Sequence, residues 1–222
     1  MGARLEMITR LILVATLGLL TACGPMTSGS LGADLARERV NKLLGRTPAA
    51  KPAAPAPNIA AAAPGEILLV NIISRNAVAP LTKLAENGNT VTWVSPGQVS
   101  VTLQDGILIA TRGLNEDLMG SEAAGTRAAL TAGGGTSQRT QSFLDSEDQI
   151  VLRTVDCTVA FVGPETIADT TGSREAVKYT EVCESALFSF TNTYWLDKAG
   201  GKIVQSRQAV APTVGFLQIN QL

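Results

Sequence analysis

The chain has 222 residues, of which 45% are hydrophobic, 17% charged and 4% aromatic. Lys and Arg number 18 against 19 Asp and Glu, so the basic surplus needed to neutralise a nucleic-acid backbone is missing. Histidine is absent altogether, which removes Ser-His-Asp and Cys-His catalysis and every His-ligated metal site.

Residues 1–22 read as a bacterial lipoprotein signal. Arg4 and Arg10 make a positive start, and the apolar run Ile12–Leu20 is too short to span a bilayer. The run ends at Leu20-Thr21-Ala22-Cys23, the lipobox pattern, in which the Cys thiol takes a diacylglycerol and becomes the new N-terminus. An ordinary secretory signal with an incidental Cys is the other reading. Several acyl chains on Cys23, at about 0.8 kcal/mol per buried methylene, would hold a soluble domain on a membrane. Gly24 stands where an Asp would signal inner-membrane retention, so the expected place is the outer membrane, facing the periplasm. Loss of residues 1–22 removes Arg4, Glu6 and Arg10, leaving 200 residues with 16 basic and 18 acidic groups. The two remaining cysteines, Cys157 and Cys183, would then sit in an oxidising compartment. They are expected to form one disulfide worth about 3 kcal/mol, the alternative being two buried thiols.

Residues 23–66 are the expected tether. Ala33 to Leu44 predicts a short amphipathic helix ended by Gly45, and Thr47 to Pro64 holds five of the ten prolines in an Ala/Pro-rich spacer. Residues 67–222 are the expected folded domain, because from Ile67 onward the pattern turns to short β-type runs broken by turn residues. Ile67 to Ser74 and Thr90 to Ser95 are the first two runs. Val99 to Leu103 alternates, and Asp105-Gly106 then leads into Ile107 to Thr111, a two-residue hairpin signal. That turn predicts Leu103 opposite Leu108, Val101 opposite Ala110 and Val99 opposite Arg112, which puts Arg112 on the apolar side or just past the sheet end. Residues 115–141 are rich in Gly, Ala, Ser and Thr, and predict a helical turn or two within 117–130 and otherwise a mobile loop. Gln149 to Phe161 predicts a long strand with Val151, Val155, Cys157, Val159 and Phe161 on one face. Lys178 to Phe190 predicts another, with Cys183 opposite Val182, Phe188 and Phe190. Thr193–Leu196, Lys202–Arg207 and Thr213–Ile219 complete a mainly β domain, an antiparallel sandwich or partly open barrel of roughly 8–10 strands with a little helix. Gly106–Arg112 and Gly201–Arg207 also share a pattern of Gly, apolar pair, hydroxyl and Arg, an echo that duplication of a hairpin unit or chance would explain.

Three features together resemble the YjbF/GfcB family of bacterial lipoproteins: the lipobox at Cys23, Thr92-Trp93-Val94-Ser95 followed by Asp105 to Leu114 and Asp117-Leu118, and Asn192-Thr193-Tyr194-Trp195 followed by Gly201 to Gln208 and Pro212. The resemblance runs from about Ile67 to Leu222. It implies a mainly β outer-membrane lipoprotein working in group-four capsule or other exopolysaccharide production, with no catalytic residues to carry over.

The residues themselves point the same way. Gly-x-Ser-x-Gly and Ser-x-x-Lys motifs are missing, and the glycines at 133–135 are not followed by the Lys-Ser or Lys-Thr of a phosphate loop. Two tight acidic groups, Glu116 with Asp117 and Asp145 with Glu147 and Asp148, could in principle hydrolyse a glycosidic bond, but both lie in polar loops. The latter also lacks the spacing of a calcium loop. No cofactor is therefore expected, and a non-enzymatic role is. Trp93, Tyr194 and Trp195 with Arg112, Arg207 and Gln208 are the kinds of residue that hold sugars. The same side chains would serve equally as core anchors and sheet-end caps. The expected partners are a membrane through the N-terminal lipid, and a polysaccharide or proteins of an export assembly.

Overall fold

A computed structural model describes residues 65–169, 172–198 and 201–222. The signal, Cys23 and the Ala/Pro tether lie outside the described residues. The first five strands form a meander: β1 (Ile67–Ile72), β2 (Ala77–Asn87), β3 (Thr90–Val94), β4 (Ser100–Gln104) and β5 (Ile107–Arg112). The short β6 (Gly120–Ser121) and helix α1 (Ala124–Thr131) follow. A second meander then runs through β7 (Gly134–Leu144), β8 (Ile150–Asp169), β9 (Gly172–Glu184), β10 (Ser189–Asp197), β11 (Ile203–Ala209) and β12 (Phe216–Gln221). All pairings are antiparallel, and β1 on β12 joins the two meanders into one 12-stranded sheet with β5 and β6 at its ends. The loop 113–119 brings those ends together, with the Thr111 N–H donating to the Leu118 carbonyl at 2.9 Å. The result is a nearly closed barrel, with more strands than the expected 8–10.

Alternating side chains fill the interior, as a half-buried strand requires. One cluster gathers Leu68, Val70, Leu81, Trp93, Val101, Leu103 and Leu217. A second packs Ala129 and Leu130 of α1 against Ile107, Val159, Tyr194 and Ile203. The helix approaches β7 closely because Gly125 faces Ser137, where an added Cβ would stand 2.9 Å from the serine Cβ.

Three expectations need correction. The Asp105-Gly106 turn forms, with φ of 50° and +83°, and Leu103 does face Leu108. Ile109 is then an extra residue, so Ala110 faces Thr102 rather than Val101, and Arg112 faces Ser100 rather than Val99. The bulge turns Arg112 outward, where it donates to the Leu118 and Met119 carbonyls at 3.2 and 3.3 Å. Second, residues 134–141 are no mobile loop but the start of β7, paired along its length with β8. Third, the predicted strand Lys178 to Phe190 is two strands, broken by the turn after Glu184, so Cys183 and Phe190 stand opposite one another on the same face. Phe161 keeps the parity of Val155, Cys157 and Val159, as predicted, but is 57% exposed beside a bulge at 161–163.

Past that bulge β9 stays paired with β10 as far as Ala176, and beyond it residues 166–169 of β8 and 172–175 of β9 continue as a two-stranded arm. Ile167 of the arm packs with Ala176, Trp195 and Val204, and Arg174 donates to the Gln221 carbonyl at 3.0 Å.

Candidate functional site

The interior carries a polar cluster between the two apolar ones. Glu181 is fully buried and accepts hydrogen bonds from Arg139 at 3.0 Å, Asn192 at 2.8 Å, Tyr194 at 2.8 Å and Thr126 at 2.5 Å. Arg139 also donates to the Leu108 carbonyl at 3.3 Å, while Gln208 accepts from the Leu108 N–H at 2.8 Å and donates to the Gly106 carbonyl at 3.0 Å. Both backbone groups of Leu108 on the end strand β5 are thus satisfied by side chains from β7 and β11. The cluster is a seam: it replaces the ladder that a fully closed barrel would have there. Burial opposes the Arg139 charge, but Tyr194 and Glu181 around it outweigh that cost and hold the guanidinium above its ordinary range. Burial, reinforced by the Glu181 charge, pushes the Tyr194 phenol well above its ordinary value. Cys157 and Cys183 face each other across β8 and β9 and are joined as a disulfide. Their sulfurs lie near the Glu181 carboxylate, but a disulfide offers no thiolate to a metal.

Antiparallel connectivity puts alternate loops at opposite ends of the barrel, which gives two mouths. The lower one receives the chain at Gly65, whose N–H meets the Leu222 carbonyl, and opens as a cleft of about 490 Å³. Its charges balance: Lys83, Arg127 and Lys202 against Glu66, Glu86 and Asp105. Several are already engaged, Lys83 with Glu86 at 2.9 Å, Asp105 with Asn89 at 2.6 Å and Arg127 with the Gly201 carbonyl at 2.9 Å.

The upper mouth, a pocket of about 260 Å³, is aromatic. It collects Phe143, Phe188, Phe190 and Phe216, four of the five phenylalanines in the chain. Among the described residues Arg153 is the one charged residue lining it. Its guanidinium lies 4.6 Å from the Phe143 ring centre and 5.8 Å from that of Phe188. Among the described residues no carboxylate pairs with Arg153. Leu187 beside the pocket is 92% exposed.

The six residues singled out from the sequence do not meet in one place. Tyr194 and Gln208 come within 3.4 Å of each other, but inside the seam. Trp93 is buried in the first cluster, with Lys83 over its ring and its edge lining the lower cleft. Trp195 lies on the outer face beneath the arm, and Arg112 braces its own loop. Arg207 alone borders the aromatic mouth, its guanidinium 3.5 Å from the Phe216 ring centre. The residues that sequence reasoning passed over are Arg153 and the phenylalanines. A signal existed: Arg153 shares the parity of Val151, Val155 and Cys157, and Phe188-Ser189-Phe190 puts two rings on one face.

A family model described as group 4 capsule polysaccharide lipoprotein gfcB, YjbF matches residues 38–222. A solved structure, the hypothetical lipoprotein YmcC from Escherichia coli (K12), is similar at a TM-score of 0.58 and 21% identity, covering 69% of this chain and 80% of that one. At that identity the likeness speaks for the fold. No curated protein matches the chain.

Proposed function

Because the chain belongs to the GfcB/YjbF family of group 4 capsule polysaccharide lipoproteins, we propose that it is an outer-membrane-anchored, periplasm-facing accessory in capsule or exopolysaccharide production or export, and that it catalyses no reaction. The family match over residues 38–222 carries this reading, and the lipobox at Cys23 supplies the anchor. The seam supports the non-enzymatic part. Glu181, Arg139, Tyr194 and Gln208 are the titratable and polar groups that a buried reaction centre would use; Arg139 and Gln208 are engaged with Leu108 of strand β5, and Glu181 and Tyr194 with those two side chains. The aromatic upper mouth favours a second reading, direct contact with the polymer.

Deletion of the gene tests the role. Surface polymer should fall and should return with the wild-type chain but not with Cys23→Ser, which should also lose palmitate labelling and outer-membrane fractionation. Unchanged surface polymer in the deletion strain would overturn the accessory role, and palmitate retained in Cys23→Ser would overturn the anchor.

A further inference from the structure

We propose that the upper mouth binds an acidic sugar unit of a polysaccharide, with the pyranose ring against Phe188 and Phe190 and its carboxylate on Arg153; the polymer context rests on the capsule reading above. The chemistry comes from the pocket. Phe188 and Phe190 lie nearly parallel, 9° apart with centroids 6.5 Å apart, and both are only partly buried. Ring faces of this kind suit the C–H faces of a sugar. Arg153 supplies the polar half. Its guanidinium carbon lies 4.6 Å from the Phe143 ring centre, and no carboxylate or carbonyl among the described residues accepts a hydrogen bond from it. A planar fork with free donors beside an apolar wall matches a carboxylate. A few polar groups set in an apolar wall is also the usual composition of a small-molecule site.

The neighbouring charges set the selectivity. Among the described residues no acidic side chain lines the pocket. Asp145, in the adjoining β7–β8 turn, turns its carboxylate onto the Glu147 and Gln149 N–H groups, and Glu116 is bound to Thr213. A volume of about 260 Å³ lies just under the usual range for drug-sized ligands, the scale of one or two sugar rings. The location fits as well. Both ends of the described domain, Gly65 and Leu222, are at the lower mouth, at the other end of the barrel from the aromatic mouth.

Calorimetric titration of the full chain, purified in detergent from membranes, tests this with two probes, tetragalacturonate and the neutral maltotetraose. Tetragalacturonate should bind saturably and weaken with added salt, and maltotetraose should bind about tenfold more weakly or not at all. Arg153→Gln should weaken tetragalacturonate about ten- to hundredfold with the melting temperature unchanged. Phe188→Ala should also weaken tetragalacturonate, and Lys202→Gln at the lower mouth should bind as wild type. Absence of binding, equal affinity for the two probes, or wild-type affinity in Arg153→Gln would each overturn the proposal. A protein that fails to bind yet is still required for surface polymer loses the sugar site and keeps the accessory role. A deletion strain with full surface polymer loses the accessory role independently of the titration.

Discussion

The two mouths of the barrel differ in how they use charge. At the lower mouth three cations and three carboxylates share one cleft, and much of their attraction is spent internally. At the upper mouth Arg153 lines a pocket shared with four phenylalanines, and no acid among the described residues pairs with it. Exposed ion pairs contribute little to stability, so the lower arrangement chiefly keeps that end soluble and closed around the entering chain. An unanswered cation on an aromatic wall contributes to recognition instead. The seam between them, with Glu181 and Arg139 side-chain exposures of 0% and 3%, lets both ends exist on one incompletely hydrogen-bonded sheet.

The largest expected effect comes from removing that seam. Arg139→Met leaves the Glu181 carboxylate buried and strips the Leu108 carbonyl of its donor, and should cost about 3–5 kcal/mol in urea unfolding. Pairing it with Glu181→Leu should recover part of the loss, since no buried charge is then stranded. A single Arg139→Met variant as stable as wild type would show that the mouths need no seam. Removing the cross-link is next. Cys157→Ala with Cys183→Ala should lose about 3 kcal/mol, and hydrogen exchange should quicken in β8 and β9 near the disulfide before it does in β1 to β4.

Gly106→Ala probes the lower mouth alone. The residue sits at φ +83°, and an added Cβ would lie 2.8 Å from the Cβ of Ile203, so a loss of about 2 kcal/mol is expected in thermal unfolding. Sugar binding at the upper mouth should survive it. The smallest effect is on acidification. The hydrogen bond from Lys178 holds the Glu165 carboxyl below its ordinary range, and those from Thr166 and Lys198 do so for Glu175. Carboxyl values lowered in the folded state contribute stability that is present above the unfolded value of 4.5 and lost as pH falls through the folded values. Amide NMR should therefore show residues 164–168 and 173–178, the arm and its base, loosening below about pH 4.5 while the seam stays ordered. An arm unchanged down to pH 2 would show that these pairs hold nothing.

Much of the fold was legible because alternation and turn chemistry act locally. The Asp105-Gly106 hairpin and the antiparallel β class follow from such signals, and the Cys157–Cys183 pair from an even cysteine count in an expected oxidising compartment. What stayed hidden depends on contacts distant in sequence. β7 reads as loop because its inward residues Arg139 and Gln141 are polar, and only Glu181, 42 positions later than Arg139, makes that polarity a core feature. The arm could not be foreseen, because the cover over Trp195 comes from Ile167, 28 positions earlier in the chain. The same holds for the site. Arg207 and Gln208 are neighbours in sequence, yet one borders the aromatic mouth and the other closes the seam, because adjacent strand residues point to opposite faces. Arg153 was overlooked for the converse reason: a cation within an apolar run draws attention only once its partners prove to be rings.

The contrast between the mouths is the central claim, and complementation of the deletion strain tests it most directly. Arg153→Gln and Lys202→Gln would each be expressed in place of the wild-type chain, matched for protein level and melting temperature, and surface polymer measured. The expected result is loss with Arg153→Gln and full recovery with Lys202→Gln. Full recovery with Arg153→Gln, or loss with Lys202→Gln, would contradict the assignment of function to the aromatic end.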